Sequence, residues 1–113
     1  MSDELPILNR VYDVYKTLDS VNEKLPKHKR YSLGASTEQT TLVLLEHLLM
    51  AKHAPKSHKA GFLVRAQAQL ETLRFKLRLY LELKLTNATR LMQLQSQLQE
   101  IGRMLGGWLK SVM

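Results

Sequence analysis

Cysteine is absent from the 113-residue chain. That excludes a disulfide framework, a thiolate metal site and a cysteine nucleophile, and it fits a reducing compartment. Proline occurs three times and glycine five times, against 44% hydrophobic residues, which argues against wholesale disorder. The longest apolar run is "LVLL" at 42–45, far short of the roughly 20 residues of a membrane-spanning helix. The N-terminal "MSDELPILNR" is acidic and has no apolar core, unlike a secretion signal. Catalytic and metal signatures are missing too. The histidines at 28, 47, 53 and 58 form no HExxH and no Glu-x-x-His pair, the carboxylates are scattered, and no glycine-rich phosphate loop joins a strand to a helix. Nothing around Ser32, Ser57 or Ser96 resembles a nucleophile elbow. The expectation is a soluble cytoplasmic protein without catalysis, metal, cofactor or membrane partner.

What is present is positive charge. Seventeen Lys and Arg against ten Asp and Glu give a net charge of +7 and a pI near 9.9. Residues 1–26 hold five acids and three bases, so the excess lies entirely beyond them. A basic balance of this kind attracts polyanions or an acidic partner.

Apolar spacing divides the chain into four helical blocks. Leu8, Val11, Tyr15, Leu18 and Val21 or Asn22 follow three- and four-residue steps until "KLPKHKRYS", where Pro26 interrupts. Ser32 is then a cap candidate for a second helix, with Thr37, Thr41, Leu44, Leu45, Leu48 and Leu49 along one side. "HAPKSHKAG" breaks that helix at Pro55, and Ser57 is a cap candidate for a third, from about His58 to Leu85. Thr86 or Asn87 caps a fourth, whose core stripe is Leu91, Leu94, Leu98, Ile101, Leu105, Trp108 and Val112. Four long helices with short connections predict one all-α domain over 1–113, an antiparallel up-down-up-down four-helix bundle. Gly102 and Gly106, four apart, suggest close approach by another helix, with a break at Gly106-Gly107 as the alternative.

The segment "LRFKLRLYLELKL" at 73–85 alternates apolar and polar residues like a strand, yet its Leu, Lys, Arg and Glu favour helix. Read as a helix, Leu63, Ala66, Leu70, Leu73, Leu77, Leu81 and Leu85 form the core stripe. Phe75, Leu79 and Leu83 then form a second stripe on roughly the opposite side, which one bundle cannot cover, so self-association through it is expected. Gln67, Glu71, Arg74, Arg78 and Glu82 lie between the stripes. Two accounts fit them: a salt-bridged solvated face (Glu71 with Arg74, Arg78 with Glu82), or guanidinium groups that dock an anionic partner or phosphates.

Further basic residues gather at the bundle ends. Lys24, Lys27, Lys29 and Arg30 sit in the first connection beside Tyr31, and antiparallel topology adds Lys84 and Arg90. Lys52, Lys56 and Lys59 sit at the other end near Lys110. Nucleic-acid binding by such ends would be phosphate-led, salt-sensitive and weakly sequence-specific.

Three segments, "LPKHKRYSLG", "LETLRFKLRLYLELKL" and "EIGRMLGGWLKS", resemble the bacterial four-helix-bundle family that includes the accessory variability determinant (Avd) of diversity-generating retroelements. A sister branch, encoded in ribosomal RNA intervening sequences, typically carries a Pro-Ala-Asn-Ile-Ala-Glu-Gly-like segment after helix two. Here that region reads "LLMAKHAPKSHKAG", closer to Avd. The resemblance implies a basic, barrel-like homopentamer that binds the retroelement's reverse transcriptase and its RNA or DNA. It implies support of error-prone complementary-DNA synthesis in mutagenic retrohoming, without catalysing it. Arg74 and Arg78 match the family's Leu-Arg-x-x-Leu-Arg pattern, and Arg103 matches its Gly-Arg-Met-Leu segment, where a structural role is equally expected.

The candidate partner- and nucleic-acid-binding residues are therefore Arg74, Lys76, Arg78, Arg103, Lys27, Lys29, Arg30, Lys56 and Lys59. The candidate oligomer interface is Phe75, Leu79 and Leu83. The alternatives are an intervening-sequence-type bundle of unknown role and a helical protein-protein regulatory module.

Overall fold

Pro26 and Pro55 each stand immediately before a helix, with φ near −55° and an extended ψ. The ring presets φ there, and the missing N–H removes a donor that the helix start would leave unpaired. In the computed structural model, which describes residues 4–113, α1 spans Glu4–Glu23 and α2 is a continuous rod over 27–53. The third helix, α3, spans Lys56–Glu82, and α4 spans Ala88–Val112. Met1–Asp3, part of the N-terminal segment discussed above, lie outside the described residues. Packing runs round a ring from α1 to α2, α3, α4 and back to α1, in a body of 44 × 23 × 21 Å. This is the expected all-α four-helix bundle, with no strand among the described residues.

The helix boundaries differ in detail from the expectation. Ser32 starts no helix; its hydroxyl donates to the His28 carbonyl at 2.7 Å, inside α2. The rod begins as α-helix at Lys27–Lys29, passes through a π-helical turn at Arg30–Gly34 and returns to α-helix at Ala35–His53. Ser57 caps nothing either, since α3 already begins at Lys56 and the Ser57 hydroxyl lies 3.2 Å from His58 Nδ1. Asn87 does cap α4, its side chain accepting from the Arg90 amide at 2.8 Å.

At its far end α3 stops before Leu85. Lys84 adopts φ 55°, and the Leu85 amide donates back to the Tyr80 carbonyl at 2.9 Å. This is a Schellman closure with lysine where glycine is usual.

The core is a single apolar cluster drawn from all four helices. Along α3 its last member is Tyr80, fully buried, whereas Leu81 is exposed. The 3.6-residue period explains this correction: after Leu70, Leu73 and Leu77 the next inward step is three residues, not four. Leu49 is also exposed, with Ala51 buried in its neighbourhood of α2, and Val14 joins Val11 and Leu18 in the core of α1. Trp108 packs into the core. The fourth helix runs unbroken through Gly106-Gly107. At Gly102 a β-carbon would stand 3.4 Å from Leu70 Cδ2, while none at Gly106 or Gly107 would meet anything within 4 Å. Of the three glycines of α4, only Gly102 is thus closely approached within the chain.

One buried polar node holds three helices together. The Asn22 amide donates to the Gly34 carbonyl at 3.1 Å and to Glu38 Oε2 at 2.7 Å, and its Oδ1 accepts from the Tyr80 hydroxyl at 2.6 Å. A β-carbon at Gly34 would lie 3.3 Å from Asn22 Cγ, so glycine lets the π turn close on the node. Burial raises the Tyr80 phenol above its ordinary value of 10.0. Its contribution is therefore complete below that pH and lost as pH rises through the higher folded value.

Two substitutions test these assignments by urea denaturation. Tyr80→Phe strands Asn22 Oδ1 in the interior and should lower stability by about 1–3 kcal/mol, with the fold retained. Lys84→Gly relieves the left-handed backbone and should raise stability by about 0.5–1 kcal/mol.

Candidate protein and nucleic-acid interface

Helical spacing turns one flank of α3, with Gln67, Arg74, Arg78 and Leu81, toward the flank of α4 that carries Gln95, Gln99 and Gly102. Between them runs a groove of three depressions that share lining residues. The middle one, about 400 Å³, is lined by Glu71, Arg74, Phe75, Arg78, Gln95 and Gln99. The second, about 460 Å³, continues past Arg74 to Gly102 and Arg103. The fold thus brings Arg74, Arg78 and Arg103 to one channel, although Arg103 is distant in sequence from the other two.

Arg74 is the most enclosed of the three, with 33% of its side chain exposed. One arm approaches Glu71 Oε2 at 3.5 Å, a loose pairing, while its buried Nε has no hydrogen-bond partner. A β-carbon at Gly102 would come within 3.7 Å of Arg74 Nη2, so the bare backbone of α4 makes room for the guanidinium. Arg78 makes no ion pair with Glu82; its guanidinium lies over the Phe75 ring, 5.3 Å from the centroid. Arg103 forms a two-point pair with Glu100, with Nε to Oε1 at 3.0 Å. That hydrogen bonding lowers the Glu100 pKa and raises that of Arg103. Of the two accounts of this face, the solvated salt-bridge ladder therefore holds weakly at Arg74 and fails at Arg78.

Other candidates lie elsewhere. Lys76 faces α2, donating to the Ser36 and Thr40 hydroxyls at 2.7 Å each. Lys59 donates to the carbonyls of Ala51 and Lys52, satisfying the end of α2. Arg30 donates to the Glu23 carbonyl at 2.7 Å and closes the end of α1. The side chains of Lys27, Lys29 and Lys56 make no ion pair or hydrogen bond among the described residues. Lys27, Lys29 and Arg30 lie not in a connection but in the first turns of α2, at the same end of the bundle as Arg90, whose guanidinium reaches Ser20 on α1 at 3.1 Å. Lys56 and Lys59 belong to the opposite end.

Phe75, Leu79 and Leu83 expose 60%, 43% and 48% of their surface along the outer side of α3, and Val64 extends the stripe. Spacing arguments about α3 alone overlooked Gln95, Gln99 and Met92. Their signal is the polar run "MQLQSQLQE", which places amides beside the arginines once α4 is packed on α3.

A family model described as bAvd-like matches residues 5–112. The chain belongs to the bAvd-like family. A search of curated proteins finds no match. For this bAvd-like bundle, membership supports a general accessory role of the Avd type and association with components of diversity-generating retroelements. No described helix is long and apolar enough to cross a membrane.

Proposed function

We propose that this bAvd-like bundle is a non-catalytic, cytoplasmic, oligomeric accessory protein that binds a retroelement reverse transcriptase and nucleic acid in support of mutagenic retrohoming. The observation that carries the reading is the convergence of Arg74, Arg78 and Arg103 on one groove beside an exposed apolar stripe. A half-enclosed arginine with a buried, unused N–H gains more from an anionic partner than an exposed cation does. The reverse transcriptase docks at that groove. Copies of the chain associate through Phe75, Leu79 and Leu83, five of them on the family resemblance. RNA or DNA meets the basic ends through phosphates, with Lys27, Lys29 and Lys56 as the uncommitted cations and Arg30 and Lys59 beside them. Lys76, turned into the contact between α2 and α3, belongs to the scaffold of this surface.

Replacing both Arg74 and Arg78 by Ala should leave a folded oligomer and reduce reverse-transcriptase binding by about 2 kcal/mol or more. Calorimetry or pull-down against the reverse transcriptase of the same element measures this, with thermal melting as the control for folding. Unchanged capture by the folded double variant would remove the docking role. Polar substitution at Phe75 and Leu79 should release folded monomers in light scattering; an unaltered mass would place the subunit contact elsewhere.

A further inference from the structure

The groove between α3 and α4 changes character along its length. Toward Arg103 it is polar. Toward the other end it opens into a depression of about 450 Å³ walled by Leu77, Leu81, Leu91 and Met92, with Arg78 and Gln95 at its edge. Leu81 and Met92 expose 52% and 71% of their surface beside the buried Leu77 and Leu91, so the chain leaves this apolar wall uncovered. From Gln67 to Leu81 the α3 wall rises about 21 Å, the length of roughly four turns of a third helix.

Four features define the occupant. The trough between two antiparallel helices is ridged to receive another helix, whose apolar face would fill the Leu81–Met92 end. Arg78 has no carboxylate partner among the described residues, and the Arg74 Nε is buried without an acceptor; both border the middle of the same channel. Glu71 lines both depressions that hold Arg74, placing a fixed negative charge where a phosphate chain would run, while a single carboxylate can still reach the arginines. The one aromatic ring in the channel, Phe75, lies against the Arg78 guanidinium and so offers base stacking no open platform on that side.

We infer that this groove receives one acidic amphipathic helix of a protein partner, its apolar side chains seated between Leu81 and Met92 and its carboxylates meeting Arg78 and Arg74. The inference rests on the docking role proposed above and specifies how the reverse transcriptase is held. Leu81 and Met92 become binding residues in their own right, and Leu79 and Leu83 of the outer stripe, which do not line the groove, stay available for self-association.

The test uses the full chain and the reverse transcriptase of the same retroelement. Leu81→Lys and Met92→Lys alter exposed side chains, and Met92→Leu keeps the apolar contact. Reverse-transcriptase affinity, oligomer mass, RNA affinity and thermal melting are measured for each. Either lysine variant should weaken reverse-transcriptase binding by about tenfold or more, Met92→Leu should stay near wild type, and fold, mass and RNA affinity should not move. Hydrogen exchange in the wild-type complex should slow across residues 77–81 and 88–95. Undiminished reverse-transcriptase binding by the folded lysine variants would overturn the helix-docking inference and leave the docking role standing. Failure of the wild-type protein to capture the reverse transcriptase would overturn both. Loss of oligomer mass would instead give the groove to a second copy of the chain. Loss of RNA affinity with capture retained would give it to nucleic acid.

Discussion

The Asn22 side chain is the point on which the bundle depends. Its amide and carbonyl are both engaged inside the protein, by Gly34 and Glu38 from α2 and by Tyr80 from α3. Such a group is costly to leave unsatisfied away from water, so the arrangement that brings all three partners together is favoured over its alternatives. The π turn at Arg30–Gly34 and the small residue at its end let the α2 backbone reach Asn22. Tyr80 in turn fixes where the core contact of α3 ends, and the closing bond of that helix returns to the Tyr80 carbonyl. Together with the buried stripe from Leu63 to Leu77, this set of bonds fixes the rotational setting of α3, and hence the direction in which Arg74 and Arg78 point.

Nearly the whole circumference of α3 is in use. Leu63 to Tyr80 fill the core, Lys76 ties the helix to α2, Arg74, Arg78 and Leu81 border the groove with α4, and Phe75, Leu79 and Leu83 face outward. The near-alternation of apolar and polar residues at 73–85 is the linear trace of these four duties. A surface helix with one buried face needs only one apolar stripe; a helix with two further partners needs apolar positions interleaved with charged ones.

Several of the basic side chains are held by the fold itself and are not free to reach out to a polyanion. Arg30 and Lys59 satisfy helix-end carbonyls, Lys76 is tied to hydroxyls of α2, Arg90 reaches Ser20, and Arg103 is paired with Glu100. Of the candidate cations, those without such a contact among the described residues are Lys27 and Lys29 at one end, Lys56 at the other, and Arg78 beside a half-enclosed Arg74 in the groove; Lys24 and Lys84 add charge to the first end, Lys52 and Lys110 to the second. These are separate surfaces, so one chain can present an electrostatic attachment at its ends and a shaped, partly desolvated one along its side.

Local chemistry made much of this legible in the sequence. Pro26, Pro55 and Asn87 marked the breaks because proline and an Asx cap act on their own backbone neighbourhood. Apolar spacing likewise disclosed four helices, most of the core and the second stripe of α3. What it misjudged were features set by contacts between helices. Ser32 looked like a helix start because nothing in its own neighbourhood marks the π turn that carries α2 through it. Leu81 looked like core because a leucine at the next step is indistinguishable from Tyr80 until Asn22 supplies a partner for the phenol. The groove was invisible, since Gln95, Gln99, Gly102 and Arg103 reach Arg74 and Arg78 only when α4 lies on α3. The elements, their order and their charge are each encoded within a few neighbouring residues and could be read from them; which side chains meet depends on the rotation of one helix against another, and that is fixed by the packed bundle as a whole.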